Sequence, residues 1–331
     1  MDETLRNMAT QALSRRGFLA SAGAATAATL IGCGDSAPIT STVPTPPTAA
    51  AVTDNDVLNF ALNLEYLEAE FYLRAVTGNG VPTADGGGAT VTIPGVSKVN
   101  FTSSFIQAIA VEQAQTELQH IRALRATITS NGGTPINQPA LNYTDAFNTI
   151  AFNAGIGSSF NPFADQLSYL IGALTFPDVG VTAYTGGAAL LKDKNILNAA
   201  AGFQATEAYH AGMFRNVLSY QALSSKDTTY LNYFNQVVQL RSRLGGGNET
   251  TLSPGAGTLP AYGAASATTG RVAYTPVAAS TIVAADSDAL AYARTTDQVL
   301  HIVYGTTPGT YTASGGFFPS GMNGNIKQPT T

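Results

Sequence analysis

The chain has 331 residues, enough for one large domain or two small ones, and is 44% apolar with only 11% charged residues, a globular composition that excludes a long disordered body. With 16 Lys and Arg against 21 Asp and Glu, the net charge is −5 and no basic patch stands out, so nucleic acid is excluded as a partner. A single cysteine, Cys33, excludes an internal disulfide framework.

In chain order, residues 14–19 read Ser-Arg-Arg-Gly-Phe-Leu, a weakly apolar run extends from Gly17 to Ile31, and Leu30-Ile31-Gly32-Cys33 closes it. The run is too short and too soft for a membrane span, which needs about 20 strongly apolar residues. Arg15 and Arg16 ahead of it resemble a twin-arginine export signal. The closing four residues resemble a lipobox, in which Cys33 is acylated and becomes the new N-terminus. These resemblances imply recognition by the twin-arginine export machinery, which is associated with cargo folded before it crosses. They also imply a membrane-anchored lipoprotein of the periplasm or cell envelope. Residues 34–53, rich in Pro, Ser, Thr and Ala, cannot bury much apolar surface and form a flexible linker. Residues 1–33 are thus signal and 34–53 tether.

Four periodic segments come next. The first helix is expected over 55–76, with Asp54 as N-cap, Gly78 as stop, and the seam Leu58, Leu62, Glu65, Ala69, Tyr72, Val76. The second, over 103–129, carries Ile106, Ala110, Gln113, Glu117, His120, Leu124, Ile128. The third, over 162–184, carries Leu167, Ile171, Leu174, Asp178, Val181. The fourth, over 194–223, carries Ile196, Ala200, Phe203, Glu207, His210, Phe214, Val217. Steps of three and four are the period of helices packed in a bundle.

A carboxylate interrupts each apolar stripe, and in the second and fourth helices a His follows the Glu by three positions, on the same face. With 8 Glu in 331 residues, a given His has a Glu three positions before it by chance about 2% of the time. Two of the three histidines do so; the third, His301, has Gln298 there. Gathering Glu65, Glu117, Asp178 and Glu207 in one core without compensation would cost many kcal/mol. Two divalent cations would balance the four charges, and His120 and His210 would complete the ligand shell. A Glu from each of two helices plus Glu-x-x-His from the other two is the arrangement of two-metal carboxylate bundles. Oxygen and imidazole ligands suit Fe or Mn, and Zn also fits.

The stretch Ala61–Tyr72, Glu117-Leu118-Gln119-His120, Asp178-Val179-Gly180-Val181-Thr182-Ala183-Tyr184 and Glu207-Ala208-Tyr209-His210-Ala211-Gly212 together resemble the ferritin-like proteins related to desiccation-associated proteins. The likeness covers residues 54–244 and extends to 293–300. It implies an all-α fold, a ferritin-like four-helix bundle, with additional C-terminal helices and an irregular extension over 245–331. Glu65 and Tyr72 are similar to the first-helix Glu and Tyr of ferritins and rubrerythrins. The likeness leads one to expect a Glu just before Asp-Val-Gly-Val; here Pro177 stands there, and Pro inside a helix costs about 3 kcal/mol unless a kink absorbs it. Asp178 is the replacement ligand on the seam, with pairing to Arg74, Arg122, Arg125 or Arg215 as its alternative role. Glu68 is the second-choice ligand, and Glu70 is expected in solvent. Tyr72 and Tyr209 are donors to the ligands or aromatic filler, Gln113 is a buried amide, and His301 is structural.

Residues 78–99 read as a loop with room for a short hairpin, and 131–160 as a crossover between helices two and three. A fifth helix is expected over 227–244, irregular chain over 248–285, and a late helix over 287–304. Three functions stay open. The family likeness implies redox chemistry at two metals, either peroxide disproportionation as in manganese catalases or Fe(II) oxidation. A non-enzymatic envelope protein of desiccation or stress tolerance with a degenerate site is the alternative, and metal sequestration without turnover is the third. A homo-oligomer is open; a closed ferritin-type cage is not expected on a lipid tether.

Overall fold

The computed structural model describes residues 51–258 and 278–331. Arg15, Arg16 and Cys33 lie outside the described residues, as does the tether up to residue 50. The described part is an all-α bundle, and no helix in it is long and apolar enough to cross a membrane.

Helix α1 (Asp54–Thr77) starts one residue earlier than expected. Its N-cap is Thr53, whose hydroxyl accepts from the Asp56 amide while the Asp56 carboxylate accepts from the Thr53 amide, a reciprocal cap. Gly78 ends it in the left-handed region. Helix α2 (Ser104–Ser130) is capped by Ser103 and lies along α1. From Val57 to Ala75, α1 is buried on nearly all sides, as a helix at the centre of a fold must be.

The expected crossover contains an unforeseen helix, α3 (Tyr143–Ala154), which buries Tyr143, Ala146, Phe147 and Ala151. Thr92 and Val91 (β1) pair in parallel with Asn142 and Leu141 (β2), so the 78–99 segment ties to the start of α3 and forms no hairpin.

The expected third helix is broken into α4 (Gln166–Ala173) and α5 (Pro177–Gly187). Pro177 is the first residue of α5, where its missing N–H costs nothing. In an unbroken helix that N–H would bond the Ala173 carbonyl; here the Tyr72 hydroxyl donates to that carbonyl at 2.8 Å. The next two carbonyls, of Leu174 and Thr175, both accept from Arg241. Every carbonyl freed by the break is thereby satisfied inside the core.

Helix α6 (Lys194–Ser225) packs along α5, and α7 (Thr229–Leu244) lies against α3, α4 and α6. The segment expected to be irregular holds an antiparallel ribbon, β3 (Ser253–Thr258) with β4 (Ala278–Thr281). The late helix α8 (Thr296–Tyr304) is shorter than expected, because Thr295 caps it with Gln298 in a reciprocal pair. The tail then returns over the bundle. Phe317, Phe318 and Met322 enter the main core cluster, and Asn323 exchanges two hydrogen bonds with the Asn63 side chain at 2.9 Å each. At the centre of that cluster Phe71 meets Tyr72, Tyr143, Phe147, Phe163, Tyr169 and Phe176 at ring separations of 4.9–6.0 Å. A second cluster, built on Leu58, Leu62, Tyr66, Ile121 and Leu124, fills the space between α1 and α2.

Candidate metal centre

Helix α1 supplies Glu65 and Glu68, α2 supplies Glu117 and His120, and α6 supplies Glu207 and His210. All six are buried, none more than 7% exposed. Glu65, Glu117, His120 and Glu207 each offer a ligand atom within 4.8 Å of the others. His120 Nδ1 lies 3.1 Å from Glu65 Oε2, 3.1 Å from Glu117 Oε2 and 3.4 Å from Glu207 Oε1. His210 Nδ1 lies 3.0 Å from the other Glu117 oxygen, Oε1, without the alignment of a hydrogen bond. The two imidazoles are therefore spanned by one carboxylate, with ring centroids 6.1 Å apart.

Two neighbours hold the carboxylates in place. The Tyr184 hydroxyl on α5 donates to Glu65 Oε1 at 2.5 Å, and the Gln113 amide, one turn before Glu117, donates to Glu117 Oε1 at 2.6 Å. Phe203 meets the edge of His120 at 5.0 Å and stacks on Tyr184 at 5.6 Å, forming an apolar cover.

The charges are strained. Burial first, then the charges of Glu207, Glu117 and Glu65, push the Glu68 carboxyl well above the ordinary range. Burial and the neighbouring carboxylates raise Glu117 and Glu207 to about 8. Burial also works to raise Glu65, but the His120 charge and the hydrogen bonds of His120 and Tyr184 outweigh it and hold this carboxyl low. Burial would lower both imidazoles; at His120 the Glu65 charge and three carboxylate contacts reverse the sign, whereas His210 stays depressed.

The donor set fits divalent cations on an independent count. Both oxygens of Glu207, Glu68 Oε2, His210 Nδ1 and Gln113 Oε1 are buried without a hydrogen-bond partner. Each such orphan costs about 1–3 kcal/mol. Five orphans converging on one carboxylate–imidazole cluster are what cations would satisfy.

Asp178 is not part of this cluster, a correction to the expected ligand set. Its carboxylate is 2.9 Å from Arg215 and 3.0 Å from Arg241, and these guanidinium charges hold it low against the effect of burial. Arg241 also meets Glu249 at 2.9 Å, and Arg294 meets Glu249 at 2.8 Å. This second buried network locks α5, α6 and α7 to the segments before the β3–β4 ribbon and before α8. The fourth carboxylate beside the cluster is Glu68, whose spacing from Glu65 repeats that of the two Glu-x-x-His pairs.

Other residues divide clearly. Glu70 is buried rather than solvated, bonded to Arg74 and to the Val81 amide at 2.6 Å each. Tyr72 serves the helix break, and Tyr209 is 79% exposed and away from the ligands. His301 bonds Thr306 and the Thr331 carbonyl. Sequence reasoning did not assign Tyr184 to Glu65, although a Tyr lying six positions after Asp178 on a buried helix was the available signal.

Residues 53–220 match the ferritin-like domain family. The chain is 30% identical to ferritin-like catalase Nec2 of Nesocodon mauritianus over 286 residues, 82% of this chain and 84% of the relative. It is 29% identical to desiccation-related protein PCC13-62 of Craterostigma plantagineum over 256 residues, 75% of this chain and 76% of the relative.

Proposed function

The chain belongs to the ferritin-like domain family, and we propose that its buried cluster holds two divalent ions, Mn or Fe, and disproportionates hydrogen peroxide to water and dioxygen. Glu65, Glu68, Glu117, His120, Glu207 and His210 would hold them. The observation that carries this reading is the Glu117 carboxylate, with one oxygen facing each histidine and with unpartnered Glu207 and Glu68 oxygens beside it. The similarity to a protein named ferritin-like catalase supports the choice of reaction.

When bound, the ions would supply the two-electron redox chemistry, taking two electrons from one peroxide, which leaves as dioxygen, and giving two to another, which is reduced to water. The chain supplies placement. Gln113 orients Glu117, and Tyr184 fixes the Glu65 rotamer, the supporting contacts that set ligand geometry. Glu207, with no protein donor on either oxygen, is free to change its mode of contact. Phe203 and Tyr184 cover the His120 side and limit water entry.

The test is a peroxide assay on protein loaded with Mn or Fe. Turnover by the loaded protein, lost in His120→Ala and His210→Ala variants that keep their helical content, is the expected result. Metal binding without peroxide turnover or Fe(II) oxidation would convert the reading to sequestration.

A second reading, a non-enzymatic desiccation or stress protein, is favoured by the similarity to the desiccation-related relative. In both readings we place the protein in the cell envelope, exported through Arg15 and Arg16 and anchored at Cys33. Cys33→Ser would then release it from membranes, and Lys at both arginines would retain it in the cytoplasm. A wild-type chain found in the soluble cytoplasmic fraction would contradict that placement.

A further inference from the structure

Beside the candidate metal centre lies a cavity of about 30 Å³. Leu67, Val179, Val237, Leu240, Ile302 and Phe317 are among the apolar residues that line it. Its wall reaches the cluster at two points. Glu68 lines it directly, and so does Gly180. A Cβ on Gly180 would stand 2.9 Å from Glu207 Oε2, so the missing side chain lets that carboxylate pack directly against a glycine of the cavity wall.

We propose that this cavity is a holding site for dioxygen adjoining the metal centre. The identity of the gas rests on the peroxide reading, in which dioxygen is the product, or on Fe(II) oxidation, in which it is the oxidant. The size agrees: one water needs about 10–15 Å³ of such space, so this cavity admits an object two atoms long. The chemistry of the wall agrees as well. A buried water makes about three hydrogen bonds. Here Thr175 donates its hydroxyl to Ile171, and the terminal nitrogens of Arg241 are committed to Leu174, Thr175, Asp178 and Glu249. Glu68 Oε2 and Arg241 Nε are without partners. The rest of the wall is apolar, and apolar cavity surfaces take up gases such as xenon.

Xenon pressure on the metal-free full chain, followed in methyl spectra, tests the site. The expected result is saturable shifts centred on the methyls of Leu67, Val179, Val237, Leu240 and Ile302, reproduced as line broadening under dioxygen. Val237→Phe fills the space and should abolish them; if that variant does not fold, Val237→Ile should reduce them. A folded protein without saturable shifts at these methyls, or with shifts that survive filling, would overturn the proposal. So would ordered water bridging Glu68 and Arg241. Because the measurement needs no metal, a chain that never binds metal can still show the shifts and a loaded chain can lack them, so the two readings fail separately.

Discussion

At the scale of single residues, the centre is an equilibrium between protons and cations. In the metal-free chain Glu117 and Glu207 titrate at about 8 instead of 4.5, so between those values the folded state holds protons that the unfolded state has released. Stability of the metal-free protein therefore falls as pH rises from about 4.5 to about 8. His120, held above its usual 6.5 by the carboxylates, adds a loss of the same sign above that pH. Metal uptake displaces these protons, so affinity rises across the same window. Melting curves through it, with and without Mn, should diverge with pH; parallel curves would contradict the coupling. Tyr184→Phe removes the donor to Glu65 and should weaken metal affinity by about 10- to 100-fold in a competition titration. Asp178→Asn should leave metal content intact while costing about 3–5 kcal/mol in chemical denaturation, because Arg215 and Arg241 lose a buried counter-charge. Loss of metal from Asp178→Asn at full stability would restore Asp178 as a ligand. Seam position favoured Asp178 over Glu68, which the expected α1 seam omits; because α1 is buried on nearly all sides Glu68 also faces the core, and the arginines arriving from α6 and α7 decide between them.

At the scale of elements, the ends of α1, α2 and α6 and the Glu-x-x-His faces were legible, because caps and spacing are local. Ser103, Gly78 and the start of α6 agree with expectation to within a residue. The features that were not legible depend on distant partners. Pro177 promised a costly interior break, but Tyr72 from α1 and Arg241 from α7 take up the freed carbonyls. Pro177→Ala should accordingly change stability by less than about 1 kcal/mol, whereas Tyr72→Phe, which leaves the buried Ala173 carbonyl unpaired, should cost about 1–3 kcal/mol. Equilibrium denaturation of the pair checks the order. Helix α3 is hidden inside a long connection even though Asn142 and Asp145 form a cap and Tyr143, Phe147 and Ala151 recur at four-residue steps. Its 12 residues give only three turns of periodicity, a weak signal beside a stretch long enough to cross the bundle as loop.

At the scale of the whole molecule, the bundle does not stand apart from the C-terminal extension. The Asp178–Arg241–Glu249–Arg294 network joins α5 and α7 to the chain before α8, and Phe317 packs against Tyr143, Phe147 and Phe176. Phe317→Ala should cost about 3–5 kcal/mol, a loss that an independently folded bundle with a loose tail would not show. This architecture encloses six buried ligand candidates and leaves five of their polar atoms or their neighbour's unpaired, which makes metal content the quantity to measure first. Mass spectrometry of the purified native protein should find about two Mn or Fe per chain. A stably folded protein that carries no metal after growth with both available would contradict the metal centre and leave a ferritin-like scaffold with a vestigial cluster.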